Sequence, residues 1–252
     1  IKKDEESIAT TGIRGVIANI TQKHGEGVIT TLKENQAIGT GGYVAGKIVE
    51  IFGLESSGKS TLALHAVAEC QKLGKAAVYI DLENGLDRQY AANLGVKDEE
   101  LMIVSPRGGE EAFAIMSELI AEGVSLIVVD SVSNLVPRSH ELTHQKTIII
   151  FINQIRNKIS PGSYLPVSPT TTTGGMALRF DSDLRIYLKK GDEIKRNNAT
   201  VGIEIEARIV KNKLANPGAK ANLELIFSCG VQKEREIIDL AAEKNLFEKS
   251  GN

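Results

Sequence analysis

The sequence predicts an α/β fold: a mostly parallel central sheet flanked by helices, with antiparallel strands at one edge. Strand-length apolar segments alternate with helical segments over residues 47–153. Segments 126–129 and 148–151 are apolar on both faces, which indicates strands buried on both sides of a parallel sheet. After Gly175 apolar and polar residues alternate, and this pattern is typical of antiparallel strands.

The elements of the core follow one another in a regular order. We predict strands at 48–52, 76–81, 101–104, 125–132 and 147–153, and helices at 60–73, 88–94 and 110–122. Antiparallel strands are predicted around 184–188 and 203–209, joined by a polar hairpin loop at 192–198, and a last helix at 234–244. An apolar stripe at helical spacing in 8–24 and a short apolar run at 28–32 precede the core as a helix-strand arm.

Composition limits the class of protein. A length of 252 residues suits one large domain, which we divide into an arm (1–34) and a core (35–252). The net charge of −2 argues against a basic coat, so any contact with nucleic acid must be local. Cys70 and Cys229 are expected to be reduced thiols of a cytoplasmic protein, and no signal peptide or membrane-spanning run is visible. The start at Ile1 rather than Met suggests a trimmed N-terminus.

Residues 53–60 fit the phosphate-loop pattern Gly-x4-Gly-Lys-Ser, between a predicted strand and a predicted helix. Glycines let backbone N–H groups turn toward a phosphate, and the helix adds its positive N-terminal end. Lys59 would reach the β- and γ-phosphates of ATP, and the Ser60 hydroxyl would ligate Mg²⁺. The expected nucleotide-binding residues here are Gly53, Glu55, Ser56, Ser57, Gly58, Lys59, Ser60 and Thr61.

Two carboxylates follow predicted strands near this loop. Asp130 ends the apolar run 125–130 and is the natural partner of Mg²⁺ through a water molecule bound to the ion. Glu83 follows the strand 76–81, at the edge where open α/β sheets bind ligands, and could polarise an attacking water; by itself it could equally be a solvated loop acid. His140 and His144 have the i, i+4 spacing of a metal pair, but with no third ligand we expect them to be solvated.

Six segments together resemble the bacterial RecA recombinase family, in that family's order. They are 53–60, 79–87, 127–132, 151–156, 171–175 and 210–213. The phosphate loop alone would indicate only some nucleotide-hydrolysing enzyme. The succession of six motifs narrows the resemblance to a RecA-like ATPase core.

The resemblance implies roles for individual residues around the nucleotide. Glu83 matches the catalytic glutamate, and Asp87 and Tyr90 match the residues that hold adenine and stack on it. Gln154 matches the glutamine that senses the γ-phosphate and relays its presence to a DNA-binding loop. These assignments rest on the family match and not on spacing.

Further implied roles concern neighbouring subunits and DNA. Lys211 and Lys213 match lysines that reach the ATP of the adjacent subunit. Loop 157–176 matches the family's second DNA-binding loop, although its part 160–169, with Tyr164, departs from the family pattern. The implied DNA contacts are Arg156, Lys158, Thr171, Thr172, Thr173, Gly174, Gly175 and Met176.

The function implied by the resemblance is that of an ATP-dependent DNA recombinase. Such a protein would use ATP and Mg²⁺, form a helical filament on single-stranded DNA, pair it with double-stranded DNA, and promote self-cleavage of a LexA-type repressor in the DNA-damage response. Two alternatives remain: a module that uses ATP only as a conformational switch, and a replicative helicase. Glu83, Gln154 and the Thr/Gly-rich loop disfavour the switch, and the pair Lys211 and Lys213 disfavours the helicase.

Three departures from the family pattern are visible. The family has additional residues between Asn35 and Gln36, and again between about Ser139 and Glu141, and it has a further C-terminal domain after Asn252. A crossover between parallel strands usually needs a helix, but Pro137 interrupts the only stretch available, 133–146. Omission of residues and a truly shortened chain both explain this pattern, and we favour omission.

Overall fold

The structure is a computed structural model that describes residues 42–132, 146–156, 171–172 and 175–232. Several predictions lie outside the described residues. They concern the arm with its helix 8–24 and strand 28–32, the crossover 133–145, the final helix 234–244, and the residues His140, His144, Lys158, Tyr164, Thr173 and Gly174.

Strands and helices alternate along the first half of the described chain, and strands dominate the second. The strands are β1 (Ile48–Gly53), β2 (Ala77–Asp81), β3 (Leu101–Val104), β4 (Leu126–Asp130), β5 (Ile148–Arg156), β6 (Thr171–Thr172), β7 (Leu184–Arg196), β8 (Ala199–Asn212), β9 (Lys220–Ile226) and β10 (Gly230–Val231). The helices are α1 (Lys59–Lys72), α2 (Arg88–Asn93), α3 (Gly109–Ala121) and α4 (Gly175–Asp181), with a short 3₁₀ turn at Asp98–Glu100.

The strands form one sheet in the order β10-β9-β8-β7-β1-β5-β4-β2-β3, and β6 pairs with the end of β5. Strands β7, β1, β5, β4, β2 and β3 are parallel to one another, whereas the pairs β7–β8, β8–β9 and β9–β10 are antiparallel. The predicted α/β class with antiparallel strands at one edge is confirmed. Strand β1 lies between β5 and β7, so the loop that follows it opens near the middle of the sheet.

The sheet has an apolar layer on each face. Successive side chains of a strand point to opposite faces, and β1 shows this directly: Val49 and Ile51 pack in the layer that contains α1. Ile48 packs in the other layer, with Met116 of α3 and Leu178 of α4. Burial on both faces explains why the parallel strands read as continuous apolar runs. Within the described parts of the chain, no helix is long and apolar enough to cross a membrane.

One sequence-based prediction about the second half is confirmed and another is wrong. The strands around 184–188 and 203–209 pair antiparallel as predicted, as β7 and β8, although β7 is also parallel to β1 on its other side. The predicted hairpin loop 192–198 is mostly strand, and the turn itself is confined to Asn197 and Asn198. Both asparagines have positive φ, 50° and 62°, as a two-residue turn with the twist of the strands requires.

The predicted DNA-binding loop is shorter than 157–176. Thr171 and Thr172 form β6, which is antiparallel to Ile155 and Arg156 of β5. Gly175 and Met176 begin α4. The strand that carries Gln154 likewise continues to Arg156 instead of ending at Asn153. The segments that flank residues 157–170 therefore pair with each other through backbone hydrogen bonds, which an isolated loop would lack.

A buried ion pair joins the three central strands. Glu50 of β1 is 0% exposed; it accepts a hydrogen bond from Arg185 Nε of β7 and another, 2.8 Å long, from Asn153 Nδ2 of β5. The guanidinium carbon of Arg185 also lies 4.4 Å from the ring centroid of Phe52. Each polar group is therefore partnered, as a charged group in an apolar layer must be.

We predict that Arg185→Met lowers the free energy of unfolding by about 3–5 kcal/mol, because Glu50 is left as an uncompensated buried charge. Glu50→Met/Arg185→Met should cost less than the single change, since it removes both charges. Lys72→Ala, which removes an exposed pair with Glu69, should cost no more than about 1 kcal/mol. Urea unfolding without nucleotide measures all three, and an Arg185→Met protein as stable as Lys72→Ala would contradict the account.

Candidate active site

The loop between β1 and α1 has the shape of a phosphate cradle. Ser56 and Gly58 have φ values of 57° and 84°, so the chain turns back on itself before α1 begins. At Gly53 a Cβ atom would lie 2.4 Å from the Leu188 carbonyl oxygen, and at Gly58 it would lie 2.6 Å from Ile205 Cδ1. Only glycine fits these two positions, which are the glycines of the predicted motif.

Lys59 lies at the start of α1 and is only 7% exposed. Its Nζ donates a hydrogen bond of 2.7 Å to the Leu54 carbonyl, so the side chain folds back over the loop. Burial lowers the pKa of Lys59, and the carboxylates of Asp130, Glu83 and Glu55 oppose that shift. A positive group is thus held over the loop with acids around it.

Asp130 is the meeting point of two hydroxyl groups. Its Oδ2 accepts hydrogen bonds from Ser60 Oγ at 2.7 Å and from the Tyr79 hydroxyl at 2.6 Å. Burial raises the pKa of Asp130, and the two hydrogen bonds counteract this by stabilising the carboxylate. Burial also raises the pKa of Tyr79, and the charge of Asp130 adds to that rise. The two residues assigned to the metal, Ser60 and Asp130, are therefore in direct contact.

The loop after β2 is pinned to the sheet by its own backbone. Asp81 accepts hydrogen bonds from the N–H groups of Gly85 and Leu86, at 3.2 and 3.0 Å. The Leu82 N–H donates to the Asp130 carbonyl at 2.7 Å. This loop is consequently fixed beside the end of β4.

Glu83 projects from this pinned loop. Its Oε1 accepts a hydrogen bond from the hydroxyl of Ser131, the residue that follows Asp130. Glu83 itself is exposed, whereas Ser131 is buried. A solvent-accessible carboxylate with one fixed oxygen can hold and polarise a water molecule.

The two residues assigned to adenine lie on the adjoining helix α2. Asp87 caps the start of α2, because its Oδ1 accepts a hydrogen bond of 3.0 Å from the Tyr90 N–H. The Tyr90 hydroxyl is 2.9 Å from Thr61 Oγ1 of α1. Tyr90 therefore lies against the first turn of α1, within the same region as the phosphate loop.

Gln154 is aligned with the phosphate loop across the sheet. In the parallel pairing of β1 and β5, Gly53 is opposite Gln154. The next two residues of β5, Ile155 and Arg156, pair with β6, so one strand connects the loop to the start of residues 157–170.

Lys211 and Lys213 lie at the opposite end of the strands, near the amino end of β1. Lys211 Nζ donates to the carbonyls of Arg179 and Phe180, at 3.0 and 2.7 Å, and Lys213 Nζ donates to that of Asp181 at 3.2 Å. These carbonyls are at the C-terminal end of α4, where a positive charge is favourable.

The position of Asp183 shows that the lysines are at the amino end of β1. Its Oδ2 accepts from the N–H of Ile48, the first residue of β1, while its Oδ1 lies 3.2 Å from Lys213 Nζ. The phosphate loop follows the last residue of β1, which is six residues long. The lysines are thus about 16 Å from the phosphate loop, at about 3.3 Å per residue.

The residues present fit a magnesium-bound nucleotide. At the two glycines a Cβ atom would collide with the protein's own backbone or core side chains, so the loop can lie close against the sheet, and the first turn of α1 presents its N-terminal end to this loop. The Ser60 hydroxyl is an oxygen ligand of the kind that Mg²⁺ prefers, and the Asp130 carboxylate beside it could hold a water molecule bound to the ion.

Sequence reasoning missed two members of this site, Tyr79 and Ser131. A weak signal for Tyr79 existed, because a phenol within a strand buried on both faces needs a hydrogen-bond partner. Ser131 gave no signal apart from its position next to Asp130. The pairing of the strands decides which carboxylate each hydroxyl is hydrogen-bonded to. In this sheet Asp81 and Asp130 are opposite one another.

The chain is similar to known proteins over most of its length. The model of the RecA N-terminal domain matches residues 14–143 and 139–232. Protein RecA of Limosilactobacillus reuteri (strain DSM 20016) is 42% identical over 248 residues, covering 88% of this chain and 68% of the relative. Protein RecA of Thermotoga petrophila is 40% identical over 281 residues, covering 100% and 78%. That last alignment is longer than the chain, so the relative has residues where this chain has none.

We predict that Gly58→Ala lowers the free energy of unfolding by about 1–3 kcal/mol more than Gly74→Ala, because its methyl group also overpacks a core. Both glycines have positive φ, 84° and 68°, so both changes introduce the same kind of backbone strain. Only the Cβ at position 58 meets neighbours, Ile205 Cδ1 and Leu225 Cδ1, whereas position 74 is open. Equal losses in a urea titration would mean that the loop does not press on β8 and β9.

Proposed function

The chain belongs to the RecA family, and on that basis we propose that it is a DNA-dependent ATPase that forms a helical filament on single-stranded DNA. It would pair that strand with double-stranded DNA and exchange strands in recombination and repair. The observation that carries the proposal is that the ammonium group of Lys59 and the carboxylates of Asp130 and Glu83 lie close together at the carboxyl ends of the parallel strands.

Binding of ATP is assigned to the loop between β1 and α1. Backbone N–H groups of residues 53–60 and the start of α1 would surround the phosphates, and Lys59 would exchange its bond with the Leu54 carbonyl for one with a phosphate oxygen. Asp87 and Tyr90 would hold the base. Mg²⁺, bound through Ser60 and Asp130, would neutralise charge on the phosphates.

Hydrolysis is assigned to Glu83. The carboxylate would accept a proton from the attacking water, and Ser131 would keep one of its oxygens in place while the other faces that water. A protein that used ATP only as a switch would have no need for such a base.

Communication with DNA is assigned to β5. Gln154 lies beside Gly53, and its amide can both donate and accept hydrogen bonds, so it can bond differently in two nucleotide states. The DNA contacts would come from Arg156, Lys158, Met176 and the Thr/Gly segment 171–175, where small residues allow backbone N–H groups to approach phosphates. Self-cleavage of a LexA-type repressor by such a filament is part of the same proposal.

Lys211 and Lys213 are assigned to the ATP of an adjacent subunit. The two lysines lie at the amino end of β1, whereas the phosphate loop lies at its carboxyl end. Contact with the nucleotide of the same subunit is therefore difficult. In a head-to-tail filament one subunit presents this edge to the next, and two ammonium groups would stabilise charge that develops on the phosphates.

Glu83→Gln should bind ATP and single-stranded DNA but hydrolyse ATP roughly 10²–10⁴-fold more slowly, because an amide cannot accept the proton of water. The measurement is ATP turnover with and without single-stranded DNA, together with DNA affinity. Glu100→Gln, which changes an exposed acid paired with Lys97, is the matched control. Turnover of Glu83→Gln at the wild-type rate would remove Glu83 from the mechanism, and wild-type turnover that ignores DNA would overturn the recombinase proposal.

Mixing two inactive variants tests the lysines. Lys59→Ala keeps the donor lysines but loses its own site, whereas Lys211→Ala/Lys213→Ala keeps its site but loses the lysines. If the lysines act on a neighbour, an equal mixture should recover about a quarter of wild-type turnover, the share of head-to-tail interfaces with both parts intact.

The matched control for charge loss is Lys189→Ala/Lys190→Ala, on the exposed part of the β7–β8 hairpin, which should hydrolyse ATP as the wild type does. A mixture of the two variants as inactive as its components would place the lysines' action within their own subunit.

A further inference from the structure

Tyr79 has a hydroxyl group that packing does not explain. The residue lies in the middle of β2, is 1% exposed, and is in register with the aliphatic residues Ile103 and Val128 of the adjoining strands. A phenylalanine would fill this apolar volume without bringing a polar group that needs a partner. The partner present is Asp130, whose Oδ2 is 2.6 Å from the phenol oxygen.

The Tyr79 hydroxyl fills the second hydrogen-bonding position of one oxygen of Asp130. A carboxylate oxygen has about two lone-pair positions, and Oδ2 uses them for the hydroxyls of Ser60 and Tyr79. Among the described residues, both side-chain hydrogen bonds that Asp130 accepts go to this oxygen. Oδ1 is then the oxygen left for a water molecule on a cation.

The same contact sets the direction of the Ser60 hydroxyl. Ser60 gives its proton to Oδ2, so its lone pairs are directed away from Asp130 and are available to a metal. The last torsion of an aspartate side chain is broad and roughly two-fold, and Ser60 alone would leave the carboxylate free to rock about a single hydrogen bond. A second donor, from a ring that is immobilised in the core, restricts that motion.

We propose that Tyr79 is a positioning residue for the divalent-cation site: its phenol fixes the carboxylate of Asp130, which in turn orients the Ser60 hydroxyl toward Mg²⁺. The inference rests on the proposed function, which assigns Ser60 and Asp130 to the metal. It adds a third residue, from a different strand, that does not touch the metal itself.

The test is Tyr79→Phe, which retains the ring and removes only the hydroxyl. Binding of a fluorescent ATP analogue is measured at fixed concentration while Mg²⁺ is varied, and again with the metal chelated. Half-saturation by Mg²⁺ should require roughly tenfold more metal in the variant, the usual effect of losing a residue that orients a ligand. Affinity for the metal-free analogue should not change, because Tyr79 has no assigned contact with the nucleotide.

Two comparisons separate positioning from a structural role. Tyr43→Phe removes another buried phenol, one without a hydrogen-bond partner among the described residues, and should leave the Mg²⁺ dependence unchanged whatever it does to the melting temperature. In an Asp130→Asn background, Tyr79→Phe should add no further loss of Mg²⁺ affinity, because the carboxylate it positions is gone. Both readouts are taken below the melting temperature of every variant.

The outcomes are distinct. If Asp130→Asn raises the Mg²⁺ requirement and Tyr79→Phe does not, the positioning role is overturned and the metal site stands. If the losses of the two variants simply add, Tyr79 acts by another route and the inference is likewise overturned. A wild-type protein that binds the analogue equally with and without Mg²⁺ would overturn the metal assignment, and this inference with it.

Discussion

The parallel placement of β1 between β5 and β7 is the constraint on which the rest of the site depends. Parallel strands bring their carboxyl ends to one edge, where ligands of open α/β sheets bind. Gly53, Glu83 and Asp130 are far apart in sequence, yet each follows or ends a strand at that edge. The buried pair of Glu50 and Arg185 ties β1 to β7 and, through an amide, to β5. The edge that would hold phosphates is thus supported from within the sheet.

Two carboxylates at the carboxyl ends of the strands, Asp130 and Glu83, are hydrogen-bonded by hydroxyl groups. Asp130 is hydrogen-bonded by Ser60 and Tyr79, and Glu83 by Ser131. A hydroxyl stabilises a carboxylate without adding a positive charge that would compete with a cation. Lys59 supplies the positive charge, and it is directed to the loop instead. Under the proposed function, this separation would leave the negative side of the site to a metal and the positive side to phosphate.

The sequence predicted those parts of the site that adjacent residues encode. The phosphate loop and Asp130 could be found because a fixed spacing, or the end of an apolar run, marks them. Tyr79 and Ser131 could not be assigned, because each meets its acid only through the pairing and folding of β2 and β4. The β7–β8 hairpin was predicted with too long a loop for a related reason. Its outer part is exposed on both faces, so apolar alternation, the usual signal of a strand, is absent there.

Lys211 and Lys213 cap α4. The carbonyl groups at the end of that helix therefore compete with any other partner for these ammonium groups. A lysine that donates to backbone carbonyls of its own subunit has fewer N–H groups and less reach for a neighbour's phosphate. If the lysines act on an adjacent subunit as proposed, the apparent affinity between subunits would be the intrinsic affinity scaled by the fraction of chains in which the lysines are released. Because α4 begins where the candidate DNA-binding segment ends, a ligand that shifts this helix also changes that fraction. Filament growth and occupancy of that segment would then share one conformational equilibrium, without a separate signalling element.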